Sequence, residues 1–157
     1  MQNQFRGYLL FFYLKPMKTA GYLATPLAKK LGIKGGFVIK TLNQPPNYLR
    51  LFSDLPEIKQ RNRSFKNLDL VHFFTKKLTE LQRVLPSLKS QIKPEGMIWV
   101  SWPKKSSGVS TDVTEDSIRS VALANGLVDI KVCAVDEVWS ALKLVIPVKD
   151  RKHDKHG

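Results

Sequence analysis

The sequence predicts an α/β domain three layers deep, with a mainly parallel sheet that ends in an antiparallel hairpin. Strand-like apolar runs alternate with helical patterns along the chain, an order that gives parallel strands with helices on both faces. The strand-like runs contain few polar residues, as expected for a sheet that is covered on both sides. The last two runs are separated by only three residues, and so short a connection requires antiparallel pairing.

The first half of the chain predicts two short helices and one clear strand. Thr25 can cap a helix, Pro26 suits its first position, and Gly32 can end it in a left-handed conformation. A strand is expected over 37–42, and the Asn-Gln-Pro-Pro stretch at 43–46 breaks it. A second short helix is expected over 46–52, and the polar stretch that follows holds at most one short strand.

The second half predicts longer elements. A buried strand over 68–74 precedes the strongest helix, about 76–92, whose leucines recur at helical spacing. A second buried strand covers 97–102. The next helix ends at Gly126 and is begun by a capping box of Asp112 with Glu115, or alternatively by Thr114. Strands over 128–135 and 139–147 close the domain.

This element order is Rossmann-like, and the closing hairpin is typical of class I, S-adenosylmethionine-dependent methyltransferase-like folds. One domain is expected over 17–148 of the 157 residues. Residues 1–16 are expected to be a non-native or disordered extension, and 149–157 a charged, disordered tail. The apolar run at 7–14 is shorter than the roughly 20 residues that span a bilayer, so no membrane association is expected.

The charge of the chain is uneven. The formal net charge is +13, with 12 Lys and Arg against 2 Asp and Glu up to Asn67, and 14 against 11 from Leu68 onward. A basic half favours an anionic partner, so nucleic-acid binding is one hypothesis. A solubilising surface explains the same charge equally well. Cys133 is the only cysteine, which excludes an intrachain disulfide and suits a cytoplasmic protein.

A candidate site follows from the sheet, because ligands of open α/β sheets bind beyond the carboxyl ends of the strands. The loop after the strand at 97–102 combines two lysines, several hydroxyls and a glycine, which suits a small anionic ligand. The acidic residues at 112, 115 and 116 oppose an anion at the following helix N-terminus. The predicted ligand-binding residues are Asn43, Gln44, Tyr48, Trp102, Lys104, Lys105, Ser106, Ser107 and Gly108.

Several common chemistries lack their residues. The turn at 43–46 has no glycine, although a dinucleotide or methyltransferase fold places a Gly-rich turn after its first strand. S-adenosylmethionine is therefore a less favoured cofactor than the fold suggests, and no other cofactor is expected. His72 lies in a buried strand and is interpreted as a satisfied core group. The sequence contains no zinc pattern, Walker loop or nucleophile elbow, and we expect no metal.

Four segments carry a resemblance to a known family. They are Gly21–Gly32 with its Thr-Pro-Leu-Ala-Lys-Lys core, Asp69–His72, Trp99–Lys105 and Val128–Asp136. Together they resemble the uncharacterised bacterial proteins grouped as domain of unknown function 3052, over about 21–148. The resemblance implies a family without an established activity, so it supports the domain limits but supplies no mechanism.

Three functional hypotheses remain open from the sequence. The leading one is a small-ligand or partner-binding domain with a degenerate methyltransferase-like fold and little or no catalysis. The alternatives are a divergent S-adenosylmethionine-dependent methyltransferase, and a nucleic-acid-binding protein that uses the basic N-terminal half.

Overall fold

Six strands form one mixed sheet within the part of the chain that the structure describes. The structure is a computed structural model that describes residues 25–63 and 66–152. The extension expected at 1–16 and the final histidines lie outside the described residues. The strands are β1 Val38–Leu42, β2 Lys59–Gln60, β3 Leu68–Phe74, β4 Ile92–Pro103, β5 Val128–Ala134 and β6 Trp139–Val145.

The strand order is β2-β1-β3-β4-β6-β5. The first four strands in this order pair in parallel, whereas β6 is antiparallel to both β4 and β5. The predicted terminal hairpin is confirmed, and its second strand inserts between β4 and β5. The mainly parallel α/β architecture that the sequence predicts is therefore the architecture of the protein.

Helices cover both faces of the sheet. α2 (Leu78–Gln91) and α3 (Glu115–Ala124) share one face, where their leucines and isoleucine join a core with β3, β4 and β6. α1 (Leu27–Leu31) covers the other face, together with the segment after β1. Neighbouring residues Leu70 and Val71 of β3 point into these two different cores, as the alternation of a strand requires. The indole Nε1 of Trp99 donates to the Leu31 carbonyl at 2.9 Å and ties α1 to the sheet.

The helix caps differ in one detail from the sequence expectation. Thr114, the alternative cap, accepts from the Ser117 amide and forms a reciprocal capping box with that residue at the start of α3. Asp112 instead reaches across to α2, where its Oδ1 accepts from the Leu78 amide at 2.7 Å. The box of Asp112 with Glu115 is thus wrong, because tertiary structure places Asp112 at the start of a different helix.

Three element boundaries also differ. The chain passes from α2 directly into β4 at Ile92, whereas the sequence predicts a strand that begins at 97, and the extra residues of β4 lie at a register shift opposite Leu68 and Leu70 of β3. Gly96 suits this crowded shift, since a Cβ there would lie 2.9 Å from the Leu68 carbonyl oxygen. The expected helix over 46–52 is a 3₁₀ turn over Tyr48–Leu51. The tail expected from 149 begins in a 3₁₀ turn over Val148–Asp150.

None of the helices in the described ranges is long and apolar enough to cross a bilayer.

Candidate ligand-binding cavity at the carboxyl edge of the sheet

A crevice opens where the chain changes direction across the sheet. From β1 the chain continues to β2 on one side, whereas from β3 it continues to β4 on the other. The connections that follow β1 and β3 therefore diverge, and this divergence is where open α/β sheets bind their ligands. A cavity of about 850 Å³ lies there. It is lined by the turn 43–46, by 74–77 at the end of β3, by Thr79, Glu80 and Arg83 of α2, and by Trp139.

The turn after β1 is held by Asn43. This residue has a left-handed φ of 56°, a conformation that asparagine tolerates better than most residues. Its amide Nδ2 donates to the Phe74 carbonyl and to Glu80 Oε2, both at 3.1 Å. The other oxygen of Glu80 accepts from the Thr75 hydroxyl at 2.6 Å. One side chain thus ties the ends of β1 and β3 to α2, and both carboxylate oxygens of Glu80 are engaged.

Aromatic rings form the back of the cavity. Trp139 meets Phe74 edge to face, with ring centroids 5.0 Å apart. Tyr48 also meets Phe74 edge to face, with ring centroids 5.7 Å apart. Pro45 and Pro46 line the same space from the turn. The cavity therefore has rigid, largely apolar walls, which are typical of a small-molecule site.

The rim of the cavity is basic. Lys76, Lys77 and Arg83 line it and are exposed. None of the three forms an ion pair with a residue of 25–63 or 66–152. The neighbouring N-terminus of α2 is already capped by Asp112, so positive charge at this rim comes from side chains and not from a free helix end.

A buried polar chain lies behind the aromatic wall. The Tyr48 hydroxyl lies 2.9 Å from His72 Nδ1, and the Ser101 hydroxyl lies 2.7 Å from His72 Nε2. His72 and Ser101 are fully buried, and burial lowers the pKa of His72 to about 3. Burial likewise raises the pKa of Tyr48. The imidazole is therefore neutral at pH 7 and has both nitrogens paired, which confirms the interpretation of His72 as a core group.

The structure separates the residues predicted as a site into three places. Asn43 and Gln44 line the cavity, whereas Tyr48 is outside its lining and lies 2.9 Å from His72. Trp102 packs into the core between the sheet and the two long helices. The stretch Lys104–Gly108 lies outside the lining of the cavity.

The loop after β4 makes structural contacts of its own. The Lys104 amide donates to the Val138 carbonyl at 2.7 Å, which joins the loop to the hairpin. The Ser107 hydroxyl donates to the Lys104 carbonyl, and the Thr111 hydroxyl donates to the Lys76 carbonyl. Gly108 adopts a left-handed φ of 74° at the end of a 3₁₀ turn. A ligand-binding role for Lys104, Lys105 and Ser106 stays a prediction.

Sequence reasoning assigned no ligand role to the α2 side of the cavity or to Trp139. Thr79, Glu80 and Arg83 share one helix face by their spacing of one, three and four residues. That face was visible as the polar complement of the leucine stripe. Its position over β1 depends on the strand order, which the sequence does not state.

Two of the basic residues in the first half make contacts within the protein. Lys40 is buried, and its ammonium donates to Gln91 Oε1 at 2.9 Å. Burial lowers the pKa of this lysine. The Lys30 ammonium donates to the Ala134 carbonyl at 3.3 Å, on the α1 face of the sheet. Part of the positive charge that suggested nucleic acid thus serves the fold.

Three solved structures share this fold, and two of them are named as a methylase and a methyltransferase. One is a ribosomal protein methylase from Lactobacillus delbrueckii subsp. bulgaricus. The match covers 81% of this chain and 76% of the methylase, with 12% identity and a TM-score of 0.50. The structure of magnesium protoporphyrin IX methyltransferase from Synechocystis PCC 6803 with bound SAH is also similar. The match covers 76% of this chain and 78% of the methyltransferase, with 10% identity and a TM-score of 0.50. A LepI variant in complex with SAH and a substrate analogue matches 78% of this chain, which spans 47% of LepI, with 14% identity and a TM-score of 0.50.

These likenesses show the fold, because identities this low do not carry function. No protein-family model and no curated protein matches the chain. The resemblance to domain of unknown function 3052 stays a prediction.

The residues of the edge do not fit the usual mode of binding S-adenosylmethionine. The turn after β1 presents Asn43 and two prolines where a Gly-rich turn would let the backbone approach a cofactor. Arg61 and Asn62 follow β2, where an acidic residue would accept from ribose hydroxyls. The carboxylate of Glu80 is engaged within the protein. The protein thus combines a methyltransferase-like fold with a differently built edge.

Proposed function

We propose that this protein binds a small molecule in the cavity at the carboxyl edge of its sheet, as a binding domain on a methyltransferase-like fold. The observation that carries the proposal is the cavity itself. It lies at the divergence of the connections from β1 and β3, and its volume of about 850 Å³ falls in the range of ligand pockets. The fixed turn at Asn43 supports the proposal, because a site held in place before binding requires little reordering.

Methyl transfer from S-adenosylmethionine is the second candidate function, and the fold likeness favours it. It requires the Asn43 turn to replace the Gly-rich turn. It also requires a protein group other than a carboxylate to accept hydrogen bonds from the ribose hydroxyls. We place it second because the residues named above do not supply these groups. The resemblance to domain of unknown function 3052 is compatible with either candidate.

The test is to fill the cavity and to measure binding. Thr79 is exposed and lines the cavity, so Thr79→Trp should block it without disturbing the core. Ser90→Trp is the matched control, because Ser90 is exposed near the opposite end of the same helix. Calorimetry is run with S-adenosylmethionine, S-adenosylhomocysteine, adenosine and adenosine monophosphate.

The expected result is binding of at least one probe by the wild-type protein and by Ser90→Trp, with loss in Thr79→Trp. Tight binding of S-adenosylmethionine or S-adenosylhomocysteine in the cavity would raise methyl transfer to the first candidate. No heat with any probe at millimolar concentration, or equal heat in both variants, would refute a ligand site in this cavity.

A further inference from the structure

We infer that the cavity selects an anionic ligand, a phosphorylated ring compound of the nucleoside monophosphate type. This inference rests on the proposed function and specifies its ligand. Three features of the cavity lead to it: the sign of its free charges, the state of its one carboxylate, and the arrangement of its rings.

The free charges around the cavity are positive. Lys76, Lys77 and Arg83 line it without an ion-pair partner among the residues that the structure describes. Arg83 follows Thr79 by one helical turn, so its planar guanidinium stands on the cavity face of α2 and suits bidentate contact with a phosphate. The two lysines follow β3 after Thr75 and supply point charges near the strand end.

The carboxylate that lines the cavity is held by neighbouring side chains. Among the residues that line it, Glu80 is the carboxylate, and its two oxygens accept from Asn43 and Thr75. Its single negative charge is therefore outnumbered by the three cations, and both of its oxygens are held by contacts within the protein. A sulfonium compound would bring a further positive charge towards three cations that have no ion-pair partner in the described ranges, whereas a phosphate would attract them.

The uncharged part of the cavity suits a flat ring. Trp139 and Phe74 form a perpendicular pair on one side, and Pro45 and Pro46 contribute rigid apolar surface from the turn. A planar group inserted beside these walls gains apolar contact without much loss of protein freedom. Ring and anion together define one ligand class, since the aromatic wall and the basic rim belong to the same cavity.

The phosphate is held by side chains in this arrangement. The Leu78 amide at the N-terminus of α2 donates to Asp112, so this backbone donor of the helix end is occupied. Binding should then weaken steeply with salt, because exposed ammonium and guanidinium groups are screened by ions. The affinity for a phosphate held by backbone amides would fall less as the salt concentration rises.

The experiment compares two pairs of lysines that carry equal charge. K76Q/K77Q removes the basic rim, and K104Q/K105Q removes the lysines of the loop after β4, which lies outside the cavity. Affinities for adenosine monophosphate and adenosine are measured by calorimetry, with inorganic phosphate as competitor. Circular dichroism verifies that both variants fold, and Arg83→Gln serves as a single exposed variant on the helix side.

We expect adenosine monophosphate to bind at least tenfold more tightly than adenosine, which corresponds to about 1.4 kcal/mol. K76Q/K77Q should lose tenfold or more of that affinity and Arg83→Gln a severalfold share, whereas K104Q/K105Q should retain it. Inorganic phosphate should compete.

Two results overturn the inference while the proposed function stands. One is equal binding of adenosine and its monophosphate with no effect of K76Q/K77Q, which would leave a cavity that recognises only the ring. The other is preferential binding of S-adenosylmethionine. Loss of binding in K104Q/K105Q alone would move the anion to the loop and contradict both proposals.

Discussion

The hydrogen-bonded chain through His72 allows a quantitative prediction. Tyr48→Phe removes one hydroxyl and keeps the ring, whose contacts with Phe52 and Phe74 at 5.2 and 5.7 Å should persist. The loss falls on His72 Nδ1, which then has no partner at 2.9 Å and no access to water. Leaving a buried polar group unsatisfied costs about 1–3 kcal/mol, so the free energy of unfolding should fall by that amount.

The assay is urea unfolding and thermal unfolding followed by circular dichroism at pH 7.5. For a domain of this size, roughly 3 °C of melting temperature corresponds to 1 kcal/mol, so we expect a decrease of roughly 3–9 °C. Ser106→Ala is the control, because that hydroxyl is exposed and its loss should change stability by less than about 0.5 kcal/mol.

A double-mutant cycle sharpens the prediction. Ser101→Ala removes the second partner of the same imidazole, at Nε2. In a neutral imidazole one nitrogen donates and the other accepts, so the two bonds share one tautomer and should be coupled by about 0.5–3 kcal/mol. A Tyr48→Phe variant as stable as Ser106→Ala, or strict additivity in the cycle, would refute the reasoning that this chain is a satisfied buried network.

Three further predictions concern pH, the turn and a cap. Since burial lowers the folded-state pKa of His72 from 6.5 to about 3, its contribution to stability is complete above pH 6.5 and is lost as pH falls towards 3; denaturation at stepped pH should show roughly 1 kcal/mol lost per unit, with a flatter slope in His72→Gln. Asn43→Gly keeps the left-handed turn but loses two hydrogen bonds, so it should cost about 1 kcal/mol, and Asn43→Ala about 1 kcal/mol more because alanine is strained at that φ; equal melting temperatures would contradict this. Thr114→Ala should destabilise α3 by about 1 kcal/mol in urea unfolding, and an unchanged midpoint would exclude a capping role.

The layers of the fold could be predicted from the sequence because local patterns decide them. The leucine spacing of α2 predicts a helix packed on the sheet, and the mainly apolar runs of β3 and β4 predict strands that are covered on both faces. The three-residue connection at 136–138 likewise allows only an antiparallel pair. These predictions hold because burial of each segment requires no knowledge of its distant partners.

Features that depend on distant partners could not be predicted. The spacing of Asp112 and Glu115 alone is compatible with a capping box at the start of α3. Only the folded chain shows that Asp112 accepts from the Leu78 amide of α2. β2 has two exposed residues and no apolar pattern, so nothing in its sequence marks it as a strand. Glu80 gave no sign of its role, because its partners Asn43 and Thr75 come from two other segments.

The strand order explains why the cavity and the basic loop are separate. The connections from β3 to β4 and from β4 to β5 both proceed in the same direction across the sheet, and both long helices lie on one face. The chain after β4 therefore does not diverge from that of a neighbouring parallel strand, and β6 fills the position beside it as an antiparallel partner. A loop at that strand end is pressed against the hairpin, as the bond from the Lys104 amide to Val138 shows. Only between β1 and β3 do successive connections turn apart, so the topology itself leaves open space beside Asn43 and Lys77. Lys76 and Lys77 lie at that opening, whereas the lysine pair of the loop lies outside the lining of the cavity.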